Sequence, residues 1–440
     1  MRNPLRPRAR VGLAAASALV VAAGLTACGA GSRTGAETAA QVDCPVEVDS
    51  PTTVNVLAYN SSAIDPYTNA MVRSCTQGDL TVEHEPIDFA GQTQRTTATL
   101  AGEEGTYDVL ETYGYIIPQL AADESLVPLD DLVDTYGEEY GLDSLNEGMR
   151  EAMSYDGSLY AIPMQAQMFL MAYRQDVFDE LGLEPPTTFE ELRQVSQAIQ
   201  DAGDFEYPLA LPWLASGDIT TAYDAALGSL GVDYVDPETM EPNFDTPEAA
   251  QALEEMQSLV PFMDPQVTTF DQPAVQQQMY NGDAAIAIMF SGRMSDLANE
   301  ENTQYAADFG FAPPPSVEAD GPQFSALSVD GWSIPSNSAV DDDVLFQVIA
   351  TSVSEDASEA SLPAAYPARD GVADSSDSPI IEAASEAIDN APPAEPFPWT
   401  APISNETRPV IAEVVLGQTS VEDATARMQQ IATDVLAQYS

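Results

Sequence analysis

The single histidine of the chain, His84, sets the first limit on its chemistry. It stands in Thr81-Val-Glu-His-Glu85, a stretch that predicts a strand, with no second imidazole and no free thiol pair to complete a zinc site. A Ser-His-Asp arrangement would have to use it, and no Gly-x-Ser-x-Gly elbow, glycine-rich phosphate loop or calcium-loop spacing occurs. Acid pairs such as Asp130-Asp131 and Glu190-Glu191 are of the type glycosidases use, but with 71 Asp and Glu in 440 residues such pairs arise by chance on a solvated surface. No catalytic residue, no metal and no cofactor is therefore expected.

The remaining sequence reads as a scaffold. Strands are predicted at 53–59, 80–89 and 107–111, with helices at 66–75 and 93–100 between them, and such alternation predicts a mostly parallel sheet covered by helices. Thr188-Phe-Glu-Glu191 is a capping box opening a helix to about Ala202, with Leu192, Val195 and Ile199 on one face. Helices follow at 247–259 and 272–280, the second stopped by Asn281-Gly282, and the apolar run 284–290 predicts a buried strand. Beyond Pro335 the pattern turns mainly helical, at 341–352, 380–388, 406–416 and 421–438.

Composition fixes the surroundings. The 14 basic residues, all arginine, give a net charge of −57, which excludes nucleic acid as a partner. Charge of this size repels itself and is screened by salt, which predicts a protein suited to a salty habitat, with the composition bias of a high-GC, lysine-free chain as the alternative. Arg2, Arg6, Arg8 and Arg10 precede an Ala/Val/Leu run too short and too rich in small residues for a membrane span, which is the layout of a secretory signal over 1–27. Leu25-Thr-Ala-Cys28 resembles the lipobox of bacterial lipoproteins, which implies cleavage before Cys28 and a diacylglyceryl anchor on it; two acyl chains hold a membrane stably where one does not. With Cys28 lipidated, Cys44 and Cys75 remain as an even pair in an oxidising setting and are expected to form a disulfide, two free thiols being the alternative. Residues 28–51 lack apolar periodicity and read as a flexible tether, with folded structure from about Thr52.

Three sets of segments carry a family likeness. They are Tyr107-Asp-Val-Leu-Glu111 with Leu126-Val-Pro-Leu-Asp130; Asp156-Gly-Ser-Leu-Tyr-Ala-Ile-Pro163 with Ala172-Tyr-Arg-Gln-Asp-Val-Phe178 and 183–192; and Tyr280-Asn-Gly-Asp-Ala-Ala-Ile286 with Asp330-Gly-Trp-Ser-Ile-Pro-Ser-Asn-Ser338. In this order they resemble the extracellular solute-binding proteins of ABC importers, in the family 1 type that takes carbohydrates and polyols. Asp283, where a lysine is usual, and Asp330, where a second glycine is frequent, depart from the family pattern. The resemblance implies an α/β, two-lobed, periplasmic-binding-protein-like clamshell with three interlobe crossings, near Ile162-Pro163, Asp283 and Trp332-Ser333. The lobes would be 52–162 plus 283–332 and 163–282 plus 333–440. It also implies a monomer without enzymatic activity on the outer face of the cytoplasmic membrane of a Gram-positive bacterium, touching that membrane only through its anchor and delivering a sugar or polyol to ABC permease subunits. A secreted glycoside hydrolase and a non-catalytic surface scaffold are the alternatives.

A sugar or polyol requires aromatic plates for its C–H faces and carboxylates, amides or arginine for its hydroxyls. Ligands of open α/β sheets sit beyond the carboxyl ends of strands, which points to Tyr59 and Asn60 after the first strand and Glu111 and Tyr113 after the third. Gln165 past the first crossing, Trp213, and Asp330 with Trp332 at the third crossing come next. Tyr366 and Arg369 match a loop that faces the cleft in similar proteins, and Arg293 is a weaker candidate. Packing of the aromatics and ion pairing of Arg369 are the competing roles.

Overall fold

A computed structural model describes residues 40–392, 395 and 397–439; the signal segment and Cys28 lie outside them. In chain order the strands of the two main sheets are β1 (Thr52–Leu57), β2 (Leu80–His84), β3 (Val109–Tyr113), β4 (Ile162–Gln167), β5 (Phe169–Arg174), β6 (Leu209–Ala210), β7 (Ile286–Phe290), β8 (Phe309–Ala312), β9 (Ser328–Ser333) and β10 (Tyr366–Pro367). The first sheet has the order β10-β4-β9-β3-β1-β2 and the second β8-β5-β7-β6.

The parallel arrangement expected from the alternating pattern holds for β2, β1 and β3. It stops there, because β9 returns from the second sheet and enters the first from the opposite end, antiparallel to both β3 and β4. In β1 the alternation buries Val54 and Val56, and Pro66 in the first turn of the helix Asp65–Cys75 supplies a φ already suited to a helix start. That helix packs Tyr67, Ala70 and Met71 inward and lies against the helix Asp342–Ser352. Thr188 caps the helix Phe189–Ala202 by accepting from the Glu191 amide, but the Glu191 side chain bonds the Thr187 amide rather than that of Thr188, so the box closes one residue early.

Each sheet has its own core. Val54, Tyr67, Val109, Ile162, Trp332 and Ile349 belong to the first, and Phe178, Phe189, Trp213, Tyr223, Phe244 and Val414 to the second. Along β5 the two-residue period sends Phe169, Met171 and Tyr173 to the second core and Leu170 and Ala172 to the first. The second sheet therefore joins both lobes.

The lobe boundaries differ from the expectation. The chain leaves the first sheet at Met168, between β4 and β5, and returns between β8 and β9; it leaves again between β10 and the helix Pro379–Asn390, which packs along β8 and β5. Near Asp283 there is no crossing, since β7 and β8 both pair with β5 in the second sheet. Likewise the helix Asp342–Ser352 and β10, expected in the second lobe, pack in the first. The apolar run that forms β7 looks the same whichever sheet receives it, so pattern alone could not assign its partner.

The tether is also shorter than expected. Cys44 and Cys75 form a disulfide with Cα atoms 5.3 Å apart, Cys44 and Val46 are buried in the first core, and the Val42 amide donates to Ser74 Oγ at 3.1 Å. These residues are docked rather than loose.

Candidate ligand-binding site

The first lobe gathers its polar side chains at one end of its sheet. β1, β3 and β4 finish there and β9 begins there, so residues from four strands converge although they are distant in sequence. Register does the rest: Asp330 lies opposite both Tyr113 and Gln165, and Trp332 opposite Glu111, so these five side chains share one face of the sheet.

A hydrogen-bond network links them. Asp330 Oδ2 accepts from Gln167 Nε2 at 2.8 Å and Gln165 Nε2 at 3.1 Å, and its Oδ1 accepts from Ser328 Oγ at 3.0 Å. Gln167 Nε2 also reaches Tyr59 Oη at 3.2 Å. Glu111 Oε2 accepts from the Tyr59 amide at 3.0 Å, while Gln92 donates to the Glu111 carbonyl and accepts from Tyr113 Oη. Glu111 is 1% and Asp330 2% exposed, yet Glu111 Oε1 and Gln165 Oε1 are buried without a partner.

Above this network runs a row of rings. Tyr59 meets Phe89 edge-on at 5.5 Å, Phe89 meets Tyr113 at 5.7 Å, and Tyr113 stacks on Tyr115 at 5.7 Å with 10° between planes. Phe89 and Tyr115 are 46% and 45% exposed, an unusual state for large rings at the end of a buried sheet.

The second lobe closes on the same place. Ser62 Oγ donates to the Gly292 carbonyl at 3.1 Å, directly after β7. Any side chain at Gly292 would meet Gln167 Oε1 at 2.8 Å and Ala63 Cβ at 3.1 Å, so the close approach of the two lobes depends on glycine there.

Electrostatics follow from burial. Desolvation raises the Glu111 carboxyl well above the usual carboxylate range, and Asp330 adds to the effect. Desolvation pushes Asp330 up to about 7 despite the three donors that favour its charged form. Enclosure of the Tyr115 hydroxyl raises it, as do Asp330, Glu111 and the second lobe's Asp218, while Arg408 of that lobe lowers it. Arg95–Glu85, Arg174–Asp176, Arg193–Glu255 and Arg427–Glu413 are ion pairs among the described residues, and none of them involves Glu111 or Asp330.

Other candidates fall elsewhere. Asn60 is committed to its own loop, donating to Asp65 Oδ1 and accepting from the Ile87 amide. Trp213 is buried in the second core, and Trp332, although on the site face, is buried in the first. Tyr366 pairs with Ala166, which puts it on the opposite face of the sheet from Gln165 and Gln167. Arg369 is 8% exposed and donates to the carbonyls of Val353, Gly141 and Tyr140 and to Ser144 Oγ, so it braces the fold instead of facing a ligand. Arg293, Nη1 3.5 Å from Gln276 Oε1, acts on Tyr59 from across the lobes. His84 bonds the Ala58 carbonyl at 2.9 Å, and among the described residues no group of three or more His, Cys, Asp or Glu could hold a metal ion.

Gln167, Gln92, Phe89 and Tyr115 were not singled out from the sequence. The two-residue period would have found Gln167 from Gln165, and Tyr115 lies two residues past Tyr113; Gln92 and Phe89 belong to the helix Phe89–Leu100, whose start falls where a strand was expected.

The two lobes are built on separate sheets, and aromatic and acceptor groups of the first stand where its strand ends meet the second. Residues 76–350 match the family described as bacterial extracellular solute-binding protein, and the chain belongs to it. It is 28% identical over 176 residues to the maltotriose-binding protein of Pyrococcus abyssi, covering 40% of this chain and 35% of that one. To the mannitol-binding protein of Pseudomonas aeruginosa it is 27% identical over 164 residues, covering 37% and 36%. The alignments thus span about a third of these relatives. A solved ABC transporter solute-binding protein from Agrobacterium radiobacter K84, in complex with ribitol, shares the fold at a TM-score of 0.78 and 18% identity, covering 88% of this chain and 99% of that one.

Proposed function

We propose that this chain is the substrate-binding component of an ABC importer, capturing a sugar or polyol between its lobes and passing it to permease subunits without chemical change. The observation that carries the reading is the ring row over a buried acceptor network, set where Gly292 of the second lobe meets Gln167 of the first. Phe89 and Tyr115, with the part-buried Tyr59, offer faces to C–H groups, and Glu111, Gln165, Gln167 and Asp330 offer partners to hydroxyls. Ligand contacts made with both lobes only when they close would shift the open and closed populations, and the permease would read closure.

The site is anchored in this proposal through a lipid on Cys28, with the body held outside the membrane as a monomer on a Gram-positive cell. No helix among the described residues is long and apolar enough to cross a membrane. A thermal-shift screen against monosaccharides, polyols and short oligosaccharides tests the capture: a cognate solute raises the melting temperature and is recovered unchanged. No shift across the panel, or appearance of a cleaved product, would count against it.

A further inference from the structure

On the site face, Glu111 Oε1 and Gln165 Oε1 are acceptors that are buried and unfilled, and every hydrogen bond Asp330 makes is one it accepts. An unpartnered donor on that face, Trp332 Nε1, is sealed in the core opposite Glu111. Around the two carboxyls stand Tyr59 after β1, Asp65 at the start of the next helix, Tyr113 on β3, Gln165 and Gln167 on β4, and Ser328 on β9, none of them cationic. The arginines of the facing lobe reach the rings and not the carboxyls: Arg293 acts on Tyr59 and Arg408 on Tyr115, while Arg408 donates to the Ser216 carbonyl and Asn405 Oδ1, and neither forms an ion pair with Glu111 or Asp330.

A hydroxyl donates once but brings lone pairs that need donors in return. An ammonium brings three donors, no acceptor and a charge, and its hydrogen bonds to carboxylates are about twice as strong as neutral ones. An exposed aromatic face such as that of Tyr115 also attracts a cation. We propose that the natural solute is an amino sugar or amino polyol, its ammonium held at Glu111 and Asp330 and its carbon skeleton laid on the exposed rings of Phe89 and Tyr115. This rests on the solute-binding reading. Burial of both carboxyls without a counter-charge raises their affinity for protons, and the ammonium takes the place of those protons.

Calorimetric titration with matched pairs tests it: glucosamine against glucose, galactosamine against galactose, glucamine against sorbitol. At pH 8 at least one amine binds about tenfold tighter than its neutral partner, an advantage of about 1.4 kcal/mol. The advantage shrinks at pH 6 as the carboxyls take up protons, and disappears in Asp330→Asn and in Glu111→Gln, the second variant covering failure of the first to fold. If no amine binds, or each neutral partner equals or exceeds its amine, the proposal is overturned. In that event, binding by neutral sugars leaves the solute-binding reading standing, whereas no binding by any sugar or polyol removes both.

Discussion

Two regions bury charged side chains in the first lobe, and they differ in how completely they are satisfied. Arg369 gives hydrogen bonds to four oxygens from the segments around 140–144 and 353, so its charge is spent within the fold. Glu111 and Asp330 are at least as buried, yet neither is ion-paired, and Glu111 Oε1 and the neighbouring Gln165 Oε1 stay open on a face with half-exposed rings. Native proteins pair nearly all buried polar atoms, and open acceptors beside exposed rings are what the proposed solute would fill. Residue type did not separate these cases; saturation of hydrogen bonding did.

The contrast breaks most readily at Arg369. Arg369→Ala strands three backbone carbonyls and a hydroxyl, and urea denaturation is expected to show a loss on the order of 3–5 kcal/mol. Asp330→Asn, which keeps the shape and removes a charge without a partner, is expected to leave stability unchanged or improved. A comparable loss in both variants would erase the distinction. Next in size, replacing Cys44 and Cys75 by serine opens a loop with a sequence separation of 31 residues and is expected to cost about 3–4 kcal/mol by the chain-entropy account. Ligand affinity should be unaffected, since the bond lies at the start of the first lobe and not at the strand ends.

A further contrast concerns pH. Asp330 holds its proton up to about 7 in the folded protein but releases it near 4 when unfolded. Between those values the native state binds more protons, so its contribution to stability falls as pH rises from about 4 to 7. Unliganded wild type is expected to lose more stability across that window than Asp330→Asn; parallel curves would show that Asp330 ionises freely.

Much of the site was legible because strand ends are visible in sequence. Glu111 and Tyr113 of the candidate site came from the rule that ligands sit beyond carboxyl ends, Gln165 from its place just past the first expected crossing, and Asp330 from a segment that resembles the family. The misses have physical causes. Trp213 and Trp332 have the right chemistry for a sugar plate, but a strand buried on both faces gives no periodic sign of which residues it hides. Tyr366 was lost to register, where a shift of one residue reverses the face. The crossings were misplaced because β7 is equally apolar in either sheet, and only its pairing with β5 decides.

The most direct test compares calorimetric titrations of wild type, Asp330→Asn and Arg369→Lys with one solute that shifts the melting temperature. If the site lies at Glu111 and Asp330, Asp330→Asn folds normally and binds at least about tenfold more weakly, a loss of about 1.4 kcal/mol, while folded Arg369→Lys binds as wild type does. Unchanged affinity in Asp330→Asn, with affinity lost in Arg369→Lys, would contradict the account and move the site to the Arg369 loop.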